Sequence, residues 1–150
     1  MKKRPYIIAF FFFMFDFFSK MIITNTISLN KSIKVIDNFF YLTYTKNTGA
    51  AWSILKDQRI LLLIISVFVL FIINKIMNKE ELSKVESLSY GMIIGGIVGN
   101  LVDRLFFSGV IDFLDFKIFG YNYPIFNFAD TFIVIGVLLM IYLTIKKEKK

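Results

Sequence analysis

Four stretches of this chain are apolar almost without interruption: roughly residues 6–23, 60–76, 88–106 and 128–145. Each approaches the ~20 residues that an α-helix needs to cross ~30 Å of hydrocarbon. An open strand would leave its backbone polar groups unpaired in lipid, so the pattern predicts four membrane helices. The segments between them, 24–59 and 107–125, mix polar and apolar positions. In "KVIDNFFYLTYTKNTGAAW" the run from Phe39 to Thr45 is β-prone and is broken by "NTG", which predicts a small sheet resting at the membrane surface. The "NYP" before Ile125 should stop any preceding helix and reorient the chain. The expected fold is thus an all-α polytopic membrane protein with four transmembrane helices and a small β-rich part outside the bilayer.

The short flanks give an orientation. Lys2, Lys3 and Arg4 precede the first span, Lys75, Lys79 and Lys84 surround the second turn, and Lys146, Lys147, Lys149 and Lys150 follow the last span. With four spans all three clusters fall on one side, and the positive-inside rule makes that side, with both termini, cytoplasmic. Segments 24–59 and 107–125 are then extracytoplasmic, although they carry basic residues of their own, among them Lys31, Lys34, Lys46 and Arg59. The opening "MKKRPYIIAFFFFMFDFFSKMII" has the basic start of a signal peptide, but Asp16 interrupts it and no small-residue cleavage site follows. It reads as a retained helix.

Composition removes much chemistry. The chain is 57% hydrophobic and 19% charged, with 19 phenylalanines and neither cysteine nor histidine. Disulfides, thiolate nucleophiles, Cys/His zinc sites and histidine acid-base catalysis are excluded. The formal charge of +7 sits largely in the flanking clusters, which suit anionic headgroups better than nucleic acid.

What remains is carboxylates and amides in costly places. Asp16 and Lys20 share a face of the first helix, as an ion pair with Lys20 snorkelling toward the interface or as a brace for a site. Asn100, Asp103 and Arg104 share one face at the end of the third, where they are either scaffold or site. The third span also carries Gly91, Gly95 and Gly99 at four-residue intervals with Gly96 beside them, a face that lets another helix approach closely. Asp112 lies just beyond this span, and Asp130 falls in the first turn of the fourth, where Asn127 is placed to be the N-cap. A solvated loop carboxylate and a capping residue would explain Asp112 and Asp130 separately. Held together, two such groups share a proton, so one could activate water while the other polarises a carbonyl and protonates a leaving amine. A divalent metal held by Asp103, Asp112, Asp115, Asp130 and Asn127 is the oxygen-ligand alternative. "GGIVGN" inside an apolar helix does not make a phosphate loop.

Five ordered pieces of the sequence resemble the lipoprotein signal peptidases, the signal peptidase II family: "DFFSK" from Asp16, "NTGAAWS" from Asn47, "GGIVGNLVDR" from Gly95, "VIDFLDF" from Val110 and "FNFAD" from Phe126. The resemblance covers nearly the whole chain. It implies one membrane-embedded peptidase domain over residues 1–150. It also implies a metal-independent aspartyl endopeptidase of the bacterial cytoplasmic membrane that needs no cofactor. Such enzymes cut diacylglyceryl-modified prolipoproteins just before the lipidated cysteine. The resemblance makes Asp112 and Asp130 the catalytic pair. Asn100, Asp103, Arg104, Asn127, Asp16, Lys20 and Asn47 become site-supporting or substrate-positioning residues, and Gly49, Ala50 and Trp52 part of a β-rich substrate cradle outside the membrane. The partners it implies are lipidated precursors and membrane lipids, with no nucleic acid and no obligate protein partner. Phe17 stands where the family commonly has glutamine, and Ser53 where glycine is common. The rival classes are an adaptor or channel subunit, and a carboxylate-lined transporter, for which the two halves lack matching motifs.

Overall fold

A computed structural model describes residues 3–49, 54–78 and 81–148. Among these, helix α1 spans Arg4–Thr26, α2 Arg59–Met77, α3 Lys84–Phe107 and α4 Phe128–Glu148. At about 1.5 Å per residue all four are long enough to cross a bilayer, and all are apolar enough to do so. The protein is a multi-pass membrane protein. Each helix runs one to four residues past the end of its apolar stretch, except at Phe128 where α4 begins as expected, because the boundary residues, most of them polar, still complete a helical turn. Pro5 opens α1 in its first turn, where its missing N–H costs nothing. Ser83 and Glu86 form a capping box at the start of α3: the Ser83 hydroxyl accepts from the Glu86 N–H at 3.2 Å, and the Glu86 carboxylate accepts from the Ser83 N–H at 2.8 Å. The end of α3 is set by Ser108, left-handed at φ 63°, followed by Gly109.

α3 is the enclosed helix of the bundle, and the other three present most of their side chains outward, as lipid-facing spans should. Its glycines let it be central, because they serve two neighbours. A methyl on Gly91 would meet Pro5 and Ile8 of α1, and one on Gly95 would fall 2.6 Å from the Ala9 carbonyl oxygen. On the other flank, Gly96 lies against the Ala129 carbonyl and Ile133 of α4. The small-residue face anticipated from the four-residue spacing is thus a two-sided seam. α4 reciprocates with Gly136, whose carbonyl accepts a 2.5 Å bond from the buried Ser89 hydroxyl.

Both connecting segments contribute to one antiparallel sheet, in the order β1-β2-β3-β4: β1 Ser32–Ile36, β2 Phe40–Asn47, β3 Val110–Ile118 and β4 Tyr121–Asn122. β2 begins one residue inside the β-prone run expected from Phe39 to Thr45 and continues two residues past it. β3 is the correction to the solvated-loop reading of Asp112, since "VIDFLDF" is a central strand whose first five residues are buried. Its burial comes from packing Ile111, Phe113 and Leu114 on Ile23 and Ile27 at the end of α1. Aromatic contacts continue the seam. Phe128 of α4 meets Phe15 at 5.0 Å and Phe113 at 5.5 Å, while Phe116 stacks on Phe40 at 4.6 Å and on Phe126 at 5.8 Å. The sheet is thereby fixed to the end of the bundle where α1 and α3 finish and α2 and α4 begin.

Candidate active site

Three local devices aim the polar residues at one point. β2 and β3 pair regularly through Leu42–Leu114 and again through Thr45–Asp112, so two residues of β2 oppose Phe113. This bulge bends the ladder beside Asp112. On the other side of β3, the N–H groups of Phe113 and Leu114 both donate to the Phe126 carbonyl, at 2.9 and 2.8 Å. Phe126 is thus anchored next to Asp112, and Asn127 follows it. Finally, Asn127 and Asp130 cap the start of α4: the Asp130 N–H donates to Asn127 Oδ1 at 2.9 Å, and the Asn127 N–H reaches Asp130 Oδ2 at 3.4 Å. The expected N-cap is therefore present, and it serves more than the helix.

Asn127 is fully buried, and its Nδ2 donates to Asp112 Oδ1 at 2.7 Å while also reaching Asn100 Oδ1 and the Ile111 carbonyl at 3.1 and 3.3 Å. Asn100 Nδ2 donates to Asp130 Oδ1 at 2.7 Å. The direction of both amides is forced by groups that can only donate. The Asp130 N–H occupies Asn127 Oδ1, and the Lys20 ammonium occupies Asn100 Oδ1 at 3.1 Å. Two amides therefore present N–H groups to two carboxylates, and the pair is held through one short polar chain.

Beneath this chain lies an ion cluster. Lys20 is 2% exposed and pairs with Asp16 at 2.6 Å and with Asp103 at 2.8 Å. The expected Asp16–Lys20 pair forms, but Lys20 does not snorkel: it points inward to join α1 to α3. Asp16 Oδ1 also accepts from the Ala129 N–H at 2.9 Å, so a carboxylate of α1 satisfies an open donor in the first turn of α4, one residue before Asp130. Gly99 makes room for it, since a methyl there would stand 2.5 Å from Asp16 Oδ2. Asp103 in turn accepts from the Ile111 N–H at 3.1 Å, fixing the start of β3. Asp103 is a strut between Lys20 and the strand.

Arg104 leans the other way. Its guanidinium donates to the Gly49 carbonyl at 2.9 Å and to the Asn100 carbonyl at 3.3 Å, within the electrostatic reach of Asp130, Asp112 and Asp103. Asn47 accepts from the Gly49 N–H at 2.9 Å through Oδ1 and hydrogen-bonds the Asp112 carboxylate, which leaves its amide N–H as the donor. Of the cradle residues, Gly49 is buried here; Ala50 and Trp52, like Ser53, lie outside the described residues. Phe17 projects outward beside Phe13 and Phe18 and takes no part.

Burial drives the Asp112 carboxyl up to about 7, and the neighbouring Asp130 charge adds to the rise; hydrogen bonds from Asn47 and Asn127 and the Lys20 charge oppose it. Near neutrality the pair holds a proton that an exposed aspartate would have released. Among the described residues no three acidic side chains converge as a metal-binding group. Asp103 is committed to Lys20, and Asp115 accepts from the Thr43 hydroxyl at 2.6 Å. Two contributors were not legible in the residues: the Phe126 backbone, which carries no side-chain signal, and Arg59, which had registered only as a charge.

The family model described as Signal peptidase (SPase) II matches residues 8–146. Two solved structures, each described as a bacterial membrane enzyme determined by the in meso method, share the fold. One, at 2.3 Å resolution, is 34% identical with a TM-score of 0.89 over 96% of this chain and 88% of its own. The other, at 1.9 Å, is 35% identical with a TM-score of 0.85 over 95% and 92%. With four spans, a sheet fixed to one end and an acidic pair between them, the chain belongs to the signal peptidase II family of membrane enzymes.

Proposed function

We propose that this protein is an aspartyl endopeptidase that removes signal peptides from diacylglyceryl-modified bacterial prolipoproteins by cutting before the lipidated cysteine, with Asp112 and Asp130 as its catalytic pair. The observation that carries this reading is the Asn127–Asn100 chain. It holds two carboxylates from separate elements in one buried polar network at the junction of sheet and bundle. One ionised carboxylate takes a proton from water as it attacks the scissile carbonyl; the protonated partner hydrogen-bonds that carbonyl and later protonates the leaving amine. Lys20 and Arg104 offset the negative charge of the site, while Asn100, Asn127 and Asn47 hold the carboxylates in register.

The substrate's lipid fits the depth of the site. Two acyl chains hold a cysteine at the bilayer surface with about 0.8 kcal/mol per buried methylene, and the pair sits at the end of the spans, where that cysteine would be anchored. The site lies at the end of the bundle opposite Arg4, Lys75, Lys84, Lys146 and Lys147, so the positive-inside rule supports cytoplasmic termini and a site at the outer face of the cytoplasmic membrane.

The test is cleavage by purified protein of one precursor peptide with and without the diacylglyceryl group. Release of the signal peptide from the lipidated form only is the expected result. Equal cleavage of both forms would remove the lipid from the recognition scheme, and cleavage of neither would end the peptidase reading. The pair also sets a pH dependence. With the Asp112 proton held to about pH 7, kcat/KM should fall as pH rises through that value and both carboxylates ionise. A profile flat from pH 6 to 9 would contradict it.

A further inference from the structure

We infer that Arg59 is a positioning residue for the reaction, clamping the start of α2 onto the end of α3 and thereby fixing Arg104 from behind; this rests on the peptidase reading above. Each nitrogen of the Arg59 guanidinium makes a hydrogen bond: Nε donates to the Arg104 carbonyl at 2.6 Å, one terminal nitrogen to the Leu105 carbonyl at 2.8 Å, and the other to the Ser108 hydroxyl at 3.2 Å. The carbonyls are among the last of α3, which have no partner within their own helix and lie at the negative end of its dipole. A cation supplied by another helix meets both needs at once.

The surroundings give this contact leverage. α2 is the least attached helix. Its buried residues are Leu62 near one end and Met77 at the other. Between them an apolar crevice of about 500 Å3 separates α2 from α3, lined by Leu63, Val67, Phe68 and Phe71 on one side and Leu101 and Leu105 on the other. Among the described residues, polar contacts fasten α2 at the same two ends, Tyr6 with Asn74 at the far end and Arg59 at the site end. The connection from β2 to α2 leaves at Gly49 and returns at Arg59, and Arg104 is bonded to both: its side chain donates to the Gly49 carbonyl and its own carbonyl accepts from Arg59. Loosening Arg59 therefore frees the backbone of Arg104 and one end of the connection whose other end carries Asn47, the partner of Asp112.

Arg59 touches neither carboxylate, so its removal should act on turnover. In Arg59→Ala, kcat per folded molecule on a diacylglyceryl-modified peptide should fall about tenfold to a hundredfold with KM little changed, the scale on which a small misplacement far from the chemistry acts. Arg59→Lys, which keeps one charged donor but not the fork, should recover part of the loss. The clamp is also measured without activity. The chain has no cysteine, so nitroxides can be placed cleanly at Ile60→Cys and Phe106→Cys, and Arg59→Ala should broaden the distance distribution between them. Unchanged kcat per folded molecule together with an unchanged distribution overturns the proposal, as does a loss of activity that only follows a fall in folded fraction. If the parent cleaves no lipidated peptide, the peptidase reading fails by itself and the spin-label distances still decide the clamp.

Discussion

Asp112→Asn and Asp130→Asn each lower cleavage of a lipidated precursor by about a thousandfold or more while leaving a folded membrane protein. That is the scale expected when the acid or base of a two-group mechanism is removed, since neither remaining group can perform both proton transfers. Asparagine keeps the shape, and its one oxygen can still accept from Asn127 or Asn100, so the short amide contact of each position survives substitution. Initial rates on equal amounts of folded protein make the comparison, and a variant with near-parental rate would remove its residue from the pair. Asp112 carries a stability signature as well. Its proton affinity in the folded protein exceeds that of an exposed aspartate, so the stability it contributes is full below about pH 4 and lost as pH rises through about 7. Asp112→Asn removes the cost of that ionisation. Its melting temperature should therefore gain on the parent between pH 5 and pH 8, and a gain in the opposite direction would mean that Asp112 is not held protonated.

The largest stability effect belongs to Lys20. Lys20→Met would leave Asp16 and Asp103 facing one another in a buried site without their shared cation. Breaking a buried pair by removing one partner typically costs about 3–5 kcal/mol, because the charge left behind has neither water nor counter-ion. The loss should spread. Asp16 holds the Ala129 N–H and Asp103 the Ile111 N–H, so the first turn of α4 and the start of β3 would loosen together. Neutralising the orphaned carboxylates in the triple variant Lys20→Met, Asp16→Asn, Asp103→Asn should restore a good part of the stability, though not the activity. Denaturant titration in one detergent gives the comparison. A single variant as stable as the parent would show that the cluster is not a buried ionic assembly.

Much of this was legible in the chain for identifiable reasons. Spans announce themselves because lipid tolerates few charges, so the bounds of the apolar stretches fell within a few residues of α1 to α4. The polar residues within or beside spans were legible on the same ground: Asp16, Lys20, Asn100, Asp103 and Arg104 had to be satisfied by something. What they would satisfy was not legible. Whether Lys20 snorkels or turns inward depends on Gly99 and Asn100 leaving a polar pocket between helices, a property of three elements at once. β3 was hidden because "VIDFLDF" is a short apolar run carrying two acids, which reads equally as a loop until Ile23 and Ile27 supply a surface to bury it. Arg59 looked like any boundary cation, since the carbonyls it binds are backbone atoms with no signature of their own.

The shared proton is the claim on which the chemistry stands, and difference infrared spectroscopy of the carboxyl bands between pH 6 and pH 8 measures it. The parent should show one protonated carboxyl that ionises as pH rises through about 7, and Asp112→Asn should lack that change. Two carboxylates already ionised at pH 6, or an identical titration in parent and variant, would contradict the account.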